Sequence, residues 1–176
     1  MSQLFTVHPD NPQPRLLKQA VQLLAKGGIL AVPTDSSYAL VCHLDDKTAA
    51  DRLRRIRQVD DKHHLTLLCR DLSELASYAR VDNRQYRLLK LATPGPYTFL
   101  FEATREVPKR LQNPKRRTIG IRVPDHAVML GLLEQMQSRL EGFSEAAKAM
   151  LRDPSVRPAN MVGGPIRSTE TTYEIK

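Results

Sequence analysis

The chain has 176 residues, 41% of them hydrophobic, enough for one ordinary domain with its own core. Its formal net charge of +8 favours an anionic partner such as nucleotide, RNA or phosphate, and two cysteines with no CxxC pair exclude a disulfide framework. No apolar run approaches membrane-spanning length and the N-terminal Ser2-Gln3-Leu4-Phe5 lacks a signal-peptide core, so a cytoplasmic location with reduced, buried thiols is expected and a membrane partner is not.

In chain order, residues 14–26 predict an amphipathic helix, with Leu16, Leu17, Ala20, Val21 and Leu24 at helical spacing and Pro14 in the first turn. Gly27-Gly28 ends it. Ile29-Leu30-Ala31-Val32 then reads as a short buried strand, stopped by Pro33, which has no N–H to donate. Thr34-Asp35-Ser36-Ser37 follows directly, placing three hydroxyls and a carboxylate at the C-terminal end of that strand, where open α/β sheets bind ligands. The same residues also suit an ordinary turn, because Asp and Ser bond their own backbone. Tyr38 to Cys42 fits either a second extended piece or a buried helical turn.

Asp45-Asp46 caps a helix over about 47–57, whose apolar face is Ala49, Ala50, Leu53 and Ile56 and whose other faces carry Arg52, Arg54, Arg55 and Arg57. After a polar loop from Gln58 to His64, Leu65 to Cys69 reads as a strand. Asp71 with Glu74 resembles a capping box for a helix ending at Tyr78. Asp82 or Asn83 caps another, about 83–92, burying Tyr86, Leu88, Leu89 and Ala92. Thr93-Pro94-Gly95-Pro96 breaks it, and Tyr97 to Phe101 alternates as a strand. Val107 to Leu111 suits a short helical turn. Lys115-Arg116-Arg117 leads into a strand from Thr118 to Val123, and 126–140 reads as a helix through Val128, Leu130, Leu132 and Leu133.

The constellation with chemical potential joins Thr34, Ser36 and Ser37 to Arg55, Arg57, Lys62 and Arg122. Hydroxyls at a strand end orient a small polar substrate, and guanidinium forks hold phosphate or carboxylate bidentately. A nucleotide reaction needs both, because charge on a transferring phosphoryl group must be neutralised. His63-His64 has no further ligand at metal spacing, so no metal site is expected. No nucleophile elbow or Cys–His arrangement is present, and no single catalytic residue stands out.

Four segments in order resemble the YrdC-like family, and most closely its YciO branch. Pro33 to Leu40 is similar to the P-T-D-T-x-Y-G-L segment. Arg55-Ile56-Arg57 stands where the family has K-x-R. Pro94 to Phe99 is similar to P-G-P-x-T-F, and Ile121-Arg122-Val123-Pro124 to R-V-P. The resemblance implies an α/β fold, a twisted mixed sheet flanked by helices. It implies threonylcarbamoyl-AMP synthesis from L-threonine, bicarbonate and ATP, with Mg²⁺ accompanying the nucleotide, in the tRNA modification pathway. Some family members are described as binding double-stranded RNA. Carried over by position, Thr34 would help hold the threonine, Arg55 and Arg57 the triphosphate or the substrate carboxylate, and Arg122 a phosphate; from the constellation, Ser36 and Ser37 join the substrate side and Lys62 the nucleotide side. Two departures stand out near the K-x-R position: Arg55 replaces lysine, and Gln58 replaces the usual proline.

The resemblance covers about residues 1–134. Beyond them, 135–176 is rich in Pro, Arg, Gly and Ser and lacks the family's serine motif. This tail is expected to be loop-rich or disordered, with the sheet lacking its C-terminal strands. An altered reading frame after codon 134 explains such a break, and translating the genomic DNA in the other two frames tests that. The tail carries only +1 of the charge, so the basicity belongs to the folded part. Three readings stand: a threonylcarbamoyl-AMP synthase-like nucleotidyltransferase, a double-stranded RNA- or nucleotide-binding module without catalysis, and a chain left inactive by loss of its C-terminal half.

Overall fold

A computed structural model describes residues 2–60 and 63–138, with the backbone of 169–170. Lys62 and nearly all of the predicted tail lie outside the described residues. The order is α1 (Pro14–Ala25), β1 (Leu30–Pro33), β2 (Tyr38–Val41), α2 (Lys47–Arg57), β3 (Thr66–Leu68), α3 (Leu72–Tyr78), β4 (Ala79–Arg80), α4 (Asn83–Ala92), β5 (Phe99–Ala103), a 3₁₀ turn (Lys109–Leu111), β6 (Thr118–Arg122), α5 (described over 127–138) and β7 (Thr169–Glu170).

The helices begin where their caps predict. Asp46 accepts from the Ala49 N–H at 2.8 Å. Asp71 accepts from the Glu74 N–H at 2.8 Å. The Glu74 carboxylate, however, takes the N–H of Arg70 rather than that of Asp71, so the predicted capping box is shifted by one residue. The complete box is at α4, where Asp82 and Gln85 bond each other's backbone N–H. Pro14 opens α1, and Gly27, at φ 78, closes its C-terminal end.

Five strands form a mixed sheet in the order β4-β5-β6-β3-β7, with β3 and β6 parallel and the other pairs antiparallel. One sheet face, carrying Leu67, Ile119, Ile121 and Phe101, packs against Ala49, Ala50 and Leu53 of α2, Leu75 of α3 and Leu89 of α4. The opposite face contributes Leu68 to a second cluster with Leu17, Val21 and Leu24 of α1, Val32 of β1, Ala39 of β2, and Val128, Met129, Leu132 and Leu133 of α5. Each Leu, Ile, Val, Phe or Met among these that is fully withdrawn from water contributes roughly 1.5–3 kcal/mol, and the alanines less. The two layers of helices on one sheet match the expected α/β fold.

Several local expectations change. The strand before the hydroxyl loop is not part of the sheet: β1 pairs only with β2, antiparallel, in a separate hairpin with Pro33 opposite Tyr38. Residues 34–37 are therefore the loop of a hairpin, and not the exit of a parallel strand. The tail does contribute a strand, because Thr169 and Glu170 pair with Leu67 and Thr66. Ile56 on α2 and Tyr86 and Leu88 on α4 are exposed. Of α4 only Leu89 turns fully inward, and α2 buries Arg54 beside its apolar stripe.

Candidate functional site

The hairpin loop is held from two directions. Within it, the Thr34 N–H donates to the Ser37 carbonyl at 2.9 Å. The Thr34 hydroxyl donates to that same carbonyl at 2.7 Å and accepts from the N–H groups of Ser36 and Ser37, both at 3.3 Å. Thr34 is buried, while Ser36 and Ser37 face solvent. From outside, Arg122 at the end of β6 reaches across. Its Nη2 donates to Asp35 Oδ1 and, at 3.0 Å, to Ser36 Oγ. The Arg122 side chain is 0% exposed and that of Asp35 11%. Alternation along β6 explains the placement. Ile119 and Ile121 enter the first cluster, so Arg122 falls on the other face, in register with Leu68 and toward the hairpin.

The structure thus brings together Thr34, Ser36, Ser37 and Arg122. It adds Asp35, which sequence reading left out of the site; a lone arginine near the end of a buried strand was the signal that a carboxylate must meet it.

The other predicted basic residues occupy a different layer. Arg55 is exposed on the last turn of α2, and Arg57 is half-buried at its end. That helix packs against the sheet face opposite Arg122. Beside Arg57 is His63, whose pKa is lowered from 6.5, first by burial against the opposing pull of Asp60, then by the neighbouring His64, Arg54 and Arg57. Arg54 is the buried arginine of α2. Its Nη1 pairs with Asp51 at 3.2 Å, and its Nε has no hydrogen-bond partner among the described residues. Gln58 ends α2 in the left-handed region at φ 55, a conformation forbidden to the proline expected there by family pattern. Cys42 and Cys69 are both buried and not joined in a disulfide. No helix is long and apolar enough to cross a membrane among the described residues.

A family model for Sua5, YciO and YrdC, described as telomere recombination, matches residues 22–150, beyond the last motif at Pro124. YciO of Escherichia coli (strain K12) is 55% identical over 136 residues, which cover 77% of this chain and 66% of that protein. A crystal structure of E. coli YciO matches with a TM-score of 0.74 at 56% identity over the same shares. The threonylcarbamoyl-AMP synthase of Mus musculus is 35% identical over 118 residues, 67% of this chain and 41% of that protein. The crystal structure of P. abyssi Sua5 complexed with L-threonine shares the fold, with a TM-score of 0.69 at 21% identity over 76% of this chain and 39% of that one. The chain therefore spans 66% of the length of the YciO relatives. Over the larger part of its length this chain belongs to the Sua5/YciO/YrdC family.

Proposed function

We propose that the chain is a threonylcarbamoyl-AMP synthase-like protein that takes L-threonine, bicarbonate and ATP. The observation that carries this reading is the convergence of Thr34, Ser36 and Ser37 with Arg122 in a chain 35% identical to a threonylcarbamoyl-AMP synthase. In the proposed reaction the threonine amine attacks the bicarbonate carbon and water leaves, giving a carbamate. A carbamate oxygen then attacks the α-phosphorus of ATP. The bond to the β-phosphate breaks, and threonylcarbamoyl-adenylate and pyrophosphate result. The protein's part is to orient the threonine at the exposed hydroxyls of the hairpin loop, so that its carbamate meets the α-phosphorus in line.

Mg²⁺ belongs to the proposal as the nucleotide's counter-ion. Among the described residues no three His, Cys, Asp or Glu side chains gather to hold a metal, and Asp35 is engaged by Arg122. An ion at this site would be held largely by the nucleotide's own phosphate oxygens.

Release of pyrophosphate by the purified chain, dependent on both L-threonine and bicarbonate, tests the reading; ATP consumption indifferent to either would overturn it. A second reading, binding of double-stranded RNA or tRNA without catalysis, is favoured by exposed Arg52 and Arg55 on α2 and exposed Lys115, Arg116 and Arg117. The Asn113–His64 hydrogen bond, at 3.0 Å, ties the segment before those last three to the loop following α2. Duplex binding without ATP, weakening steeply with salt, together with no pyrophosphate release, would select it.

A further inference from the structure

We infer that the outward stripe of α4, on the sheet face opposite the hairpin loop, is a docking surface for an acidic amphipathic helix of another protein. Of this helix only Leu89 is buried. At about 100° per residue, Arg84, Leu88 and Leu91 fall within roughly 60° of one another, Arg87 borders them, and the stripe points away from Leu89. Leu88 is 62% exposed and Leu91 86%, and Arg84, Arg87 and Lys90 are exposed beside them. From Asn83 to Phe101 the sequence holds these three cations and no Asp or Glu. Among the described residues none of the three is in an ion pair. Arg87 Nε donates to the Asn83 carbonyl at 3.3 Å, which keeps its guanidinium along the helix surface, and Lys90 Nζ lies 5.7 Å from the centre of the Tyr86 ring.

The chemistry of the stripe selects its occupant. The same stretch carries Tyr86, Leu88, Leu91, Tyr97 and Leu100, five of the eight large apolar side chains exposed among the described residues, so the exposure is concentrated and not scattered. A second copy of this chain, laid stripe on stripe, would bring arginine against arginine with no carboxylate between. Duplex RNA would use the guanidinium groups and gain nothing from the leucines. An anionic membrane takes a helix whose apolar and basic faces are separate. Here Arg84 lies between Leu88 and Leu91 around the helix, so a charge would enter the acyl layer with the leucines. A partner helix with apolar residues three and four apart, flanked by Asp or Glu, meets both needs. Its apolar residues cover Leu88 and Leu91, and its carboxylates meet the guanidinium forks bidentately.

The test puts photoreactive benzoylphenylalanine in place of Leu91 in the full chain, cross-links in living cells, and maps the captured peptide by mass spectrometry. The expected capture is a segment of another protein with net negative charge and apolar residues at helical spacing. That segment, made as a labelled peptide, should bind the purified unaltered chain in fluorescence anisotropy. R84E/R87E should weaken binding by roughly tenfold or more, and L88A/L91A by roughly tenfold. Replacing the peptide's acidic residues by lysine should restore binding to R84E/R87E, a rescue that an unfolded variant would not give. Capture of any part of this chain, of lipid, or of a segment without an acidic face overturns the inference, as does no capture at all. Peptide binding indifferent to R84E/R87E overturns it too.

Discussion

Replacing Arg122 by methionine should destabilise the fold by about 3–5 kcal/mol, the cost of leaving one partner of a buried ion pair behind. The structure supports that magnitude. Arg122 is 0% exposed, so its interactions are unscreened by solvent, and its guanidinium donates to a carboxylate and to a hydroxyl. Bonds to charged groups contribute roughly 1.5–3 kcal/mol each. Methionine keeps most of the aliphatic volume, so the cavity contribution is small and the loss reports the polar contacts. D35N should cost a similar amount, because it leaves an enclosed guanidinium facing a neutral amide. In the double variant neither charge remains, and the combined loss should fall short of the sum by about 2 kcal/mol or more. Urea unfolding of the four proteins measures the cycle, and thermal midpoints should drop by about 6–20 °C in each single variant. Additive losses within about 0.5 kcal/mol, or a loss below about 1 kcal/mol for R122M, would refute the reasoning that the pair holds the hairpin to the sheet.

Gln58, at φ 55, should welcome glycine: Q58G is expected to raise stability by roughly 0.5–1 kcal/mol in chemical unfolding, whereas Q58P should lower it by about 3 kcal/mol or more. Proline there would also forfeit the bond from the Gln58 N–H to the Arg55 carbonyl at 3.1 Å. G28A should cost about 1–3 kcal/mol, because the new Cβ would lie 2.6 Å from the Leu23 carbonyl oxygen, a backbone atom with little room to yield; a neutral result would show that α1 and β1 slide freely. At Asp71, burial pushes the carboxyl pKa up, but the Glu74 N–H and the Arg70 guanidinium together hold it below 3.8. Its contribution is therefore present above that value and lost as pH falls through the lower folded-state pKa, so D71N should flatten the acid limb of a stability-against-pH curve.

The helices were legible because each has a short-range signal: Asp46, Asp71 and Asp82 at the caps, Pro14 at a start, and Gly27 at an end. Which face of a helix turns inward was less legible, since it depends on where the helix sits. Leu88 and Leu91 on α4 have helical spacing yet lie 62% and 86% exposed, because the sheet beneath offers a place only to Leu89. The chemistry at residues 34–37 was readable from residue types alone, but their architecture was not. A four-residue apolar run reads the same whether it enters a parallel sheet or one arm of a hairpin, and only the pairing of Leu30 with Val41 distinguishes them. The pairing of Asp35 with Arg122 was missed for a related reason, since the two are far apart in the chain and no local pattern joins them.

That distance shapes how the protein comes apart. The Arg122–Asp35 contact closes a loop of 87 residues, whereas the caps and the hairpin's own bonds span only a few. Contacts of such long reach carry a large closure entropy and tend to form after the rate-limiting step. Losing this one should therefore leave the folding limb of a chevron nearly unmoved and steepen escape from the native state, because stability contributed after the barrier appears in the unfolding rate. The buried pair would then act as a latch on lifetime, setting how long the hairpin stays seated once the chain has folded.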